Sequence, residues 1–312
     1  MKGFDNMVQS RSQSTALLIP GVGMPYSKSV KQLRDNPIFK ANCKKAGTDH
    51  FRNMDFNTLR SYDQSSQDNW DYKKLSYVVN CSMCDIYKER GIVPEFIAGY
   101  SMGLYAALYA AGYYSFESGL RAVEKDYLLA KDFCSSKQQR YGVALILGLT
   151  EKEIRELLFK EVGRGMEIAI YNGIHSFIIV GEEEKFEICL KKASELGALG
   201  VKRIMTDRPY HTPFLEDISH DLYRFLNTLP FFAPVSKVLS LLDGKIIGRG
   251  DCHTIARAIC TPLHFDMAIG ILFHQYNISV FYEAGPPESM RKLVRYIKRE
   301  AIVHHLDEGK WE

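Results

Sequence analysis

The chain has 312 residues, 46% of them hydrophobic and 25% charged, and its formal net charge is +3. That length suits one large domain or a main body carrying a smaller insert, and so slight a charge excludes electrostatic capture of nucleic acid or of a membrane surface. The opening residues lack the apolar run of a secretory leader, no stretch is apolar enough to span a membrane, and seven cysteines fall without a framework spacing, so reduced thiols in the cytoplasm are expected.

Residues 1–14 are polar and read as a loosely attached tail. Thr15–Ile19 is a short apolar run, predicted as a buried strand, and it ends in the Gly/Pro loop Pro20–Pro25. Helical patterns follow, broken by the polar stretch 61–71, before a long helix expected over Tyr72–Arg90. Cys81-Ser-Met-Cys84 has redox-motif spacing, but it falls inside that helix and no second Cys or His pair accompanies it, so no metal is expected. Glu95–Ala98 reads as a second strand. It leads into Gly99-Tyr-Ser101-Met-Gly103 and a helix of small residues, Leu104–Ala111. Strands alternating with helices imply a mostly parallel sheet covered on both faces, with ligands beyond the carboxyl ends of the strands.

Residues 140–206 change pattern. Val143–Leu147 is an apolar strand, Thr150-Glu-Lys-Glu153 carries a capping box, and Glu167–Tyr171 and Phe177–Val180 are short strands around Asn172-Gly173. Glu182–Leu196 is an amphipathic helix and Val201–Thr206 a final strand. The order β-α-β-β-α-β is that of a ferredoxin-like unit. The fold class is therefore α/β: an α/β-hydrolase-like parallel-sheet subdomain over 15–139 and 207–312, with a ferredoxin-like insert over 140–206. Ser279–Ala284 is a late strand before a basic C-terminal helix.

Gly99 and Gly103 flank Ser101 in a Gly-x-Ser-x-Gly pattern, the spacing of a nucleophile elbow. Side chains at either glycine would clash where the chain reverses, and the helix that follows points backbone N–H groups at any oxyanion formed there. A serine nucleophile needs a base. Among the nine histidines, His211 sits between Pro209-Tyr210 and Thr212-Pro213, where two prolines hold the backbone for an imidazole that must meet Ser101. The α/β-hydrolase order would instead require a histidine near the C-terminus. His304-His305 lies there, but in a charged tail and without a Gly-rich oxyanion loop upstream.

The set Ile19-Pro20-Gly21-Val22-Gly23, Gly99-Tyr-Ser101-Met-Gly103 and Arg208-Pro-Tyr-His211-Thr-Pro213 resembles the malonyl-CoA:acyl-carrier-protein transacylase family, polyketide-synthase acyltransferases included. The resemblance runs from about Ala16 to Ile297, and Glu283-Ala-Gly-Pro matches a late strand-turn of that family. It implies ping-pong acyl transfer: Ser101 attacks an acyl thioester, and His211 serves as base and then as acid for the leaving thiol. It also implies a backbone carbonyl orienting His211, from the Thr261–His264 segment, and an oxyanion hole made by the N–H groups of Val22 and Met102. No cofactor is implied beyond the phosphopantetheine arm of the substrate, on coenzyme A or on an acyl carrier protein.

The departures are as informative. Val22 stands where the family carries Gln, Tyr100 where it carries His, and His264 where it carries a second Gln. Malonyl-selective members place an Arg in the helix after the elbow to clamp the substrate carboxylate. Aligning Arg121-Ala-Val-Glu-Lys125-Asp126 puts Asp126 there, with Arg121 about one and a half turns earlier and facing elsewhere. An aspartate repels a carboxylate, so Tyr100, Asp126 and His264 are expected around an acyl group without one, amine-bearing acyl groups included. The expected activity is acyl transfer between carrier thiols by a monomer; acyl-carrier-protein hydrolysis by the same fold is the alternative. An acidic carrier would meet the basic segments Lys28–Arg34, Lys202-Arg203 with Arg208, and Arg291–Arg299.

Overall fold

The computed structural model describes residues 14–63, 68–156, 160 and 162–306. The tail expected over 1–14 lies, Ser14 apart, outside the described residues. The chain opens with β1 (Thr15–Ile19) and four helices: α1 (Tyr26–Leu33), α2 (Pro37–Ala46), α3 (Asp49–Asn53) and α4 (Phe56–Asp63). Then come α5 (Trp70–Glu89), β2 (Phe96–Gly99), α6 (Gly103–Ala110) and α7 (Phe116–Lys137). A second group holds β3 (Tyr141–Leu147), α8 (Glu151–Arg155), β4 (Met166–Gly173), β5 (Ser176–Glu182), α9 (Glu183–Glu195) and β6 (Gly200–Ile204). The return path is α10 (Glu216–Leu226), β7 (Lys237–Val238), α11 (Cys252–Arg257), β8 (Leu263–His264), α12 (Phe265–His274), β9 (Val280–Glu283), α13 (Arg291–Ile297) and β10 (Ile302–His304).

The first sheet is parallel throughout, in the order β10-β9-β1-β2-β7. Its strands alternate between two cores, as the period of two demands. Leu17, Ile19 and Ile97 join the larger core with α5 and α6, while Ala16, Leu18, Phe96, Ala98 and Tyr100 pack on α12 and on the second sheet. Ile19 pairs with Gly99 at the carboxyl ends of β1 and β2, so the loop after β1 and the turn after β2 are neighbours.

The second sheet runs β6-β3-β5-β4 with antiparallel pairing, the order of a ferredoxin-like unit. One strand comes from outside the insert: β8, from the returning chain, pairs in parallel with β4. Two local expectations shift. Helix α5 starts at Trp70 because the Asn69 side chain accepts the N–H groups of Asp71 and Tyr72 at 2.8 and 3.2 Å. The turn between β4 and β5 falls after Asn172-Gly173, because Asn172 is buried in the strand and accepts the Tyr100 hydroxyl at 3.0 Å. The capping box forms as expected at Thr150 and Glu153. Glu283, at the end of β9, accepts the N–H groups of Glu288, Met290 and Arg291 at 2.7–3.1 Å, which ties the late strand-turn to α13. Cys81 and Cys84 are buried within α5, and burial pushes both thiols well above their ordinary range, away from redox or ligand chemistry.

Candidate active site

Two close approaches build the turn from β2 into α6. A Cβ on Gly99 would lie 2.4 Å from the Leu104 nitrogen, and one on Gly103 would lie 2.3 Å from the Ile19 carbonyl oxygen. With no side chain at either place the chain reverses sharply, and Ser101 takes φ 54°, a left-handed conformation that costs a non-glycine residue about 1–2 kcal/mol. The Tyr100 N–H donates to the Ile19 carbonyl at 2.8 Å and the Gly103 N–H to the Tyr100 carbonyl at 2.9 Å, pinning the elbow to β1.

His211 is held just as firmly. Its φ is 62°, its N–H donates to the Ile259 carbonyl at 2.7 Å, and the Thr212 hydroxyl closes the loop onto the Pro209 carbonyl at 2.6 Å. The ring bridges two partners: Nε2 lies 2.8 Å from Ser101 Oγ, and Nδ1 lies 2.6 Å from the Ala258 carbonyl oxygen. A carbonyl only accepts, so Nδ1 carries the proton and the Nε2 lone pair faces the serine hydroxyl. The orienting carbonyl thus comes from Ala258 and not from Thr261–His264. The reason is positional: Ala258 follows α11, where the last carbonyls of a helix have no intrahelical donors. Burial is the main cause that lowers His211 to about 4; nearby Lys73 pushes the same way and the Ala258 carbonyl opposes. The ring is neutral at pH 7.

Val22 and Met102 line one cavity with Ser101 and His211. Gly21 makes this possible, since a Cβ there would press within 2.9 Å of the Tyr100 carbonyl and 3.0 Å of Ser101 Cβ. Asn80 donates to the Pro20 carbonyl at 2.9 Å and Tyr26 to the Gly21 carbonyl at 2.8 Å, which fixes the loop from behind. Among the described residues neither the Val22 nor the Met102 N–H has a hydrogen-bond partner.

The cavity encloses about 40 Å³. Asp126 lies at it, accepting the Tyr105 hydroxyl at 2.7 Å. Lys73 of α5 lies there too, only 4% exposed, with Nζ 4.8 Å from the centre of the Tyr210 ring. Burial lowers the Lys73 ammonium and raises the Asp126 carboxyl, each being drawn toward its neutral form. Lys73 was not legible as a site residue, although 73, 77, 80 and 84 form a helical stripe whose other members, Tyr77, Asn80 and Cys84, are buried. Tyr100 and His264 do not line the cavity. Tyr100 shares the face of Ala98, turned to the second sheet, and His264 stacks on Tyr171 at 4.3 Å. Arg121 faces Phe225, as does Lys125. Arg208 is buried, 3.4 Å from Asp68 and over the Tyr127 ring, so it braces the His211 loop and offers no docking charge.

A serine elbow and an opposed histidine, on a parallel sheet carrying a ferredoxin-like unit, define an acyltransferase-type fold, and solved structures agree. An acyl-carrier-protein S-malonyltransferase from Burkholderia pseudomallei superposes with a TM-score of 0.82 at 20% identity, over 94% of this chain and 96% of that one. Among curated proteins, the polyketide biosynthesis protein ThaF of Burkholderia thailandensis is 29% identical over 224 residues, 71% of this chain. The polyketide biosynthesis malonyl CoA-acyl carrier protein transacylase BaeC of Bacillus velezensis is 27% identical over 232 residues, 72% of this chain. The match spans 19% of ThaF and 76% of BaeC. No family model matches the chain. The resemblance to this transacylase family is borne out, and the relatives' names support the expectation of an acyltransferase.

Proposed function

We propose that the chain transfers acyl groups between thioester-bearing thiols through an acyl-Ser101 intermediate, in polyketide or fatty-acid-type biosynthesis. The observation that carries this reading is the relay from the Ala258 carbonyl through His211 to Ser101, at 2.6 and 2.8 Å. His211 Nε2 takes the serine proton as Oγ bonds to the thioester carbonyl carbon. The oxyanion so formed accepts the N–H groups of Val22 and Met102. As the carbonyl re-forms, the C–S bond breaks and His211 returns the proton to the departing thiolate. A second thiol then reverses the sequence and leaves as the new thioester. The relatives' names, transacylases and polyketide synthases, favour transfer over hydrolysis.

Asp126 in place of the family's arginine supports an acyl group without a free carboxylate. An acyl carrier protein is the proposed partner, since one transacylase of this fold has been solved with its carrier. With Arg203 paired to Glu183 and Arg208 buried, the exposed charges that suit an acidic carrier are Lys28 and Lys31 beside the first loop, Lys202, and Arg295 and Arg299 near the late strand-turn. The test is direct: mix protein, acyl-pantetheine thioester and phosphopantetheinylated carrier, and weigh the carrier. The reading expects acyl mass on the carrier at a rate proportional to enzyme. Free acid without acylated carrier would replace transfer by hydrolysis.

A further inference from the structure

Lys73 is a buried ammonium with no hydrogen-bond or ion-pair partner among the described residues, and its rim of exposure opens on the acyl cavity. Beside it the Tyr210 hydroxyl is buried, close to Asp126 and Arg208. Across the cavity stands Asp126, whose carboxylate already accepts Tyr105. Behind them Arg208 and Asp68 form a second pair, 3.4 Å apart. Of the residues lining the cavity, Lys73 and Asp126 carry opposite charges, so this end holds a donor and an acceptor but no spare charge.

An ionic acyl group meets an obstacle here whichever its sign. A carboxylate gains Lys73 but is repelled by Asp126; an ammonium gains Asp126 but is repelled by Lys73. A purely apolar tail leaves Lys73 buried without a hydrogen-bond partner. A hydroxyl suits both sides, because its oxygen accepts from Lys73 while its proton goes to Asp126. Reach points the same way. The cavity is small, about 40 Å³, and Ser101, Lys73 and Asp126 all line it, so a short acyl chain on Ser101 brings its end to both side chains.

We infer that Lys73 and Asp126 together set the acyl specificity of Ser101, selecting a short hydroxyacyl group whose hydroxyl bridges the two side chains. The inference rests on the acyl-serine reading above and narrows its substrate class. Lys73 acts as a donor, Asp126 as an acceptor, and each cancels the other's preference for an ion.

The test uses three isosteric pantetheine thioesters, butyryl, 3-hydroxypropionyl and 3-aminopropionyl, with malonyl as the anionic arm. Initial rates of Ser101 acylation are read by intact mass in wild type, Lys73→Met and Asp126→Asn. Wild type should prefer 3-hydroxypropionyl over butyryl by about tenfold, the worth of one hydrogen bond to a charged group, with both ionic acyl groups slower still. Lys73→Met leaves Asp126 unopposed and should raise 3-aminopropionyl above malonyl. Asp126→Asn leaves Lys73 unopposed and should raise malonyl above 3-aminopropionyl. Either variant alone carries the test if the other fails to fold. A wild type led by butyryl, malonyl or 3-aminopropionyl, or the same rate order in all three proteins, overturns the inference while leaving acyl-Ser101 intact. No acylation by any thioester overturns the acyl-serine reading and the inference with it.

Discussion

The two ends of the acyl cavity are built by different means. At the reacting end, Ser101 and His211 are placed by backbone: two glycines that exclude a Cβ, two left-handed residues, and the carbonyls of Ala258 and Ile259. At the far end, Lys73, Asp126 and Tyr210 arrive as side chains from α5, α7 and the loop before His211. The first kind of construction tolerates few changes, because a clash or a lost carbonyl contact moves the nucleophile. The second is assembled from separate side chains, of which Lys73 also acts on the reacting pair by helping to lower His211. The reacting pair and the far-end side chains are thus held by different means within one cavity of about 40 Å³.

That contrast is open to attack at its strongest point first. Replacing His211 by Ala should cut Ser101 acylation at least 10²-fold, the usual worth of a positioned base, as read from initial mass gain. Retained acylation would move the base elsewhere. Gly103→Ala should come next: its new Cβ meets the Ile19 carbonyl, and a displacement of the serine by roughly an ångström costs about 10²-fold. Thermal unfolding measured alongside separates this loss from loss of fold, and an active Gly103→Ala would show that the elbow yields more easily than its contacts imply.

The pH profile sharpens the same comparison. His211 is pulled to about 4, chiefly by burial, so the catalytically competent neutral ring persists well below the ordinary histidine range near 6.5. Protonation removes the base as pH falls through the lowered value. The acylation rate should hold level from about pH 8 to about pH 5 and drop roughly tenfold per unit below about 4, with circular dichroism tracking the fold. A limb near 6.5 would mean a solvated imidazole. The smallest effect concerns the carrier. Raising salt from ~0.1 to ~1 M shortens the Debye length from about 10 to about 3 Å, which should slow acyl transfer to a carrier severalfold and leave a small thioester unaffected. Equal salt sensitivity for both would remove Lys28, Lys31, Lys202, Arg295 and Arg299 as docking charges.

The reacting end was also the legible one. Gly99, Ser101 and Gly103 are steric statements made by consecutive residues, and the prolines around His211 mark a fixed loop in the same way. The Ala258 carbonyl could not be read, since every residue carries one and only the end of α11 leaves this one free. Strand period alone would have turned Tyr100 away from the cavity, because it shares a face with Ala98. His264 held an aligned position, but it sits in β8, a two-residue strand added to the second sheet, where its ring is taken by Tyr171. Lys73 lay in plain view on a buried helical stripe. What that stripe faces is fixed only when α5 packs beside α6 and α7.

The measurement that bears most directly on the account is peptide mapping after brief incubation with an acyl-pantetheine thioester, comparing wild type with Ser101→Ala. The account predicts one acyl adduct in wild type, on the peptide holding Ser101, removed when a phosphopantetheinylated carrier is added, and none in the variant. An adduct elsewhere, or equal acylation of Ser101→Ala, would contradict it.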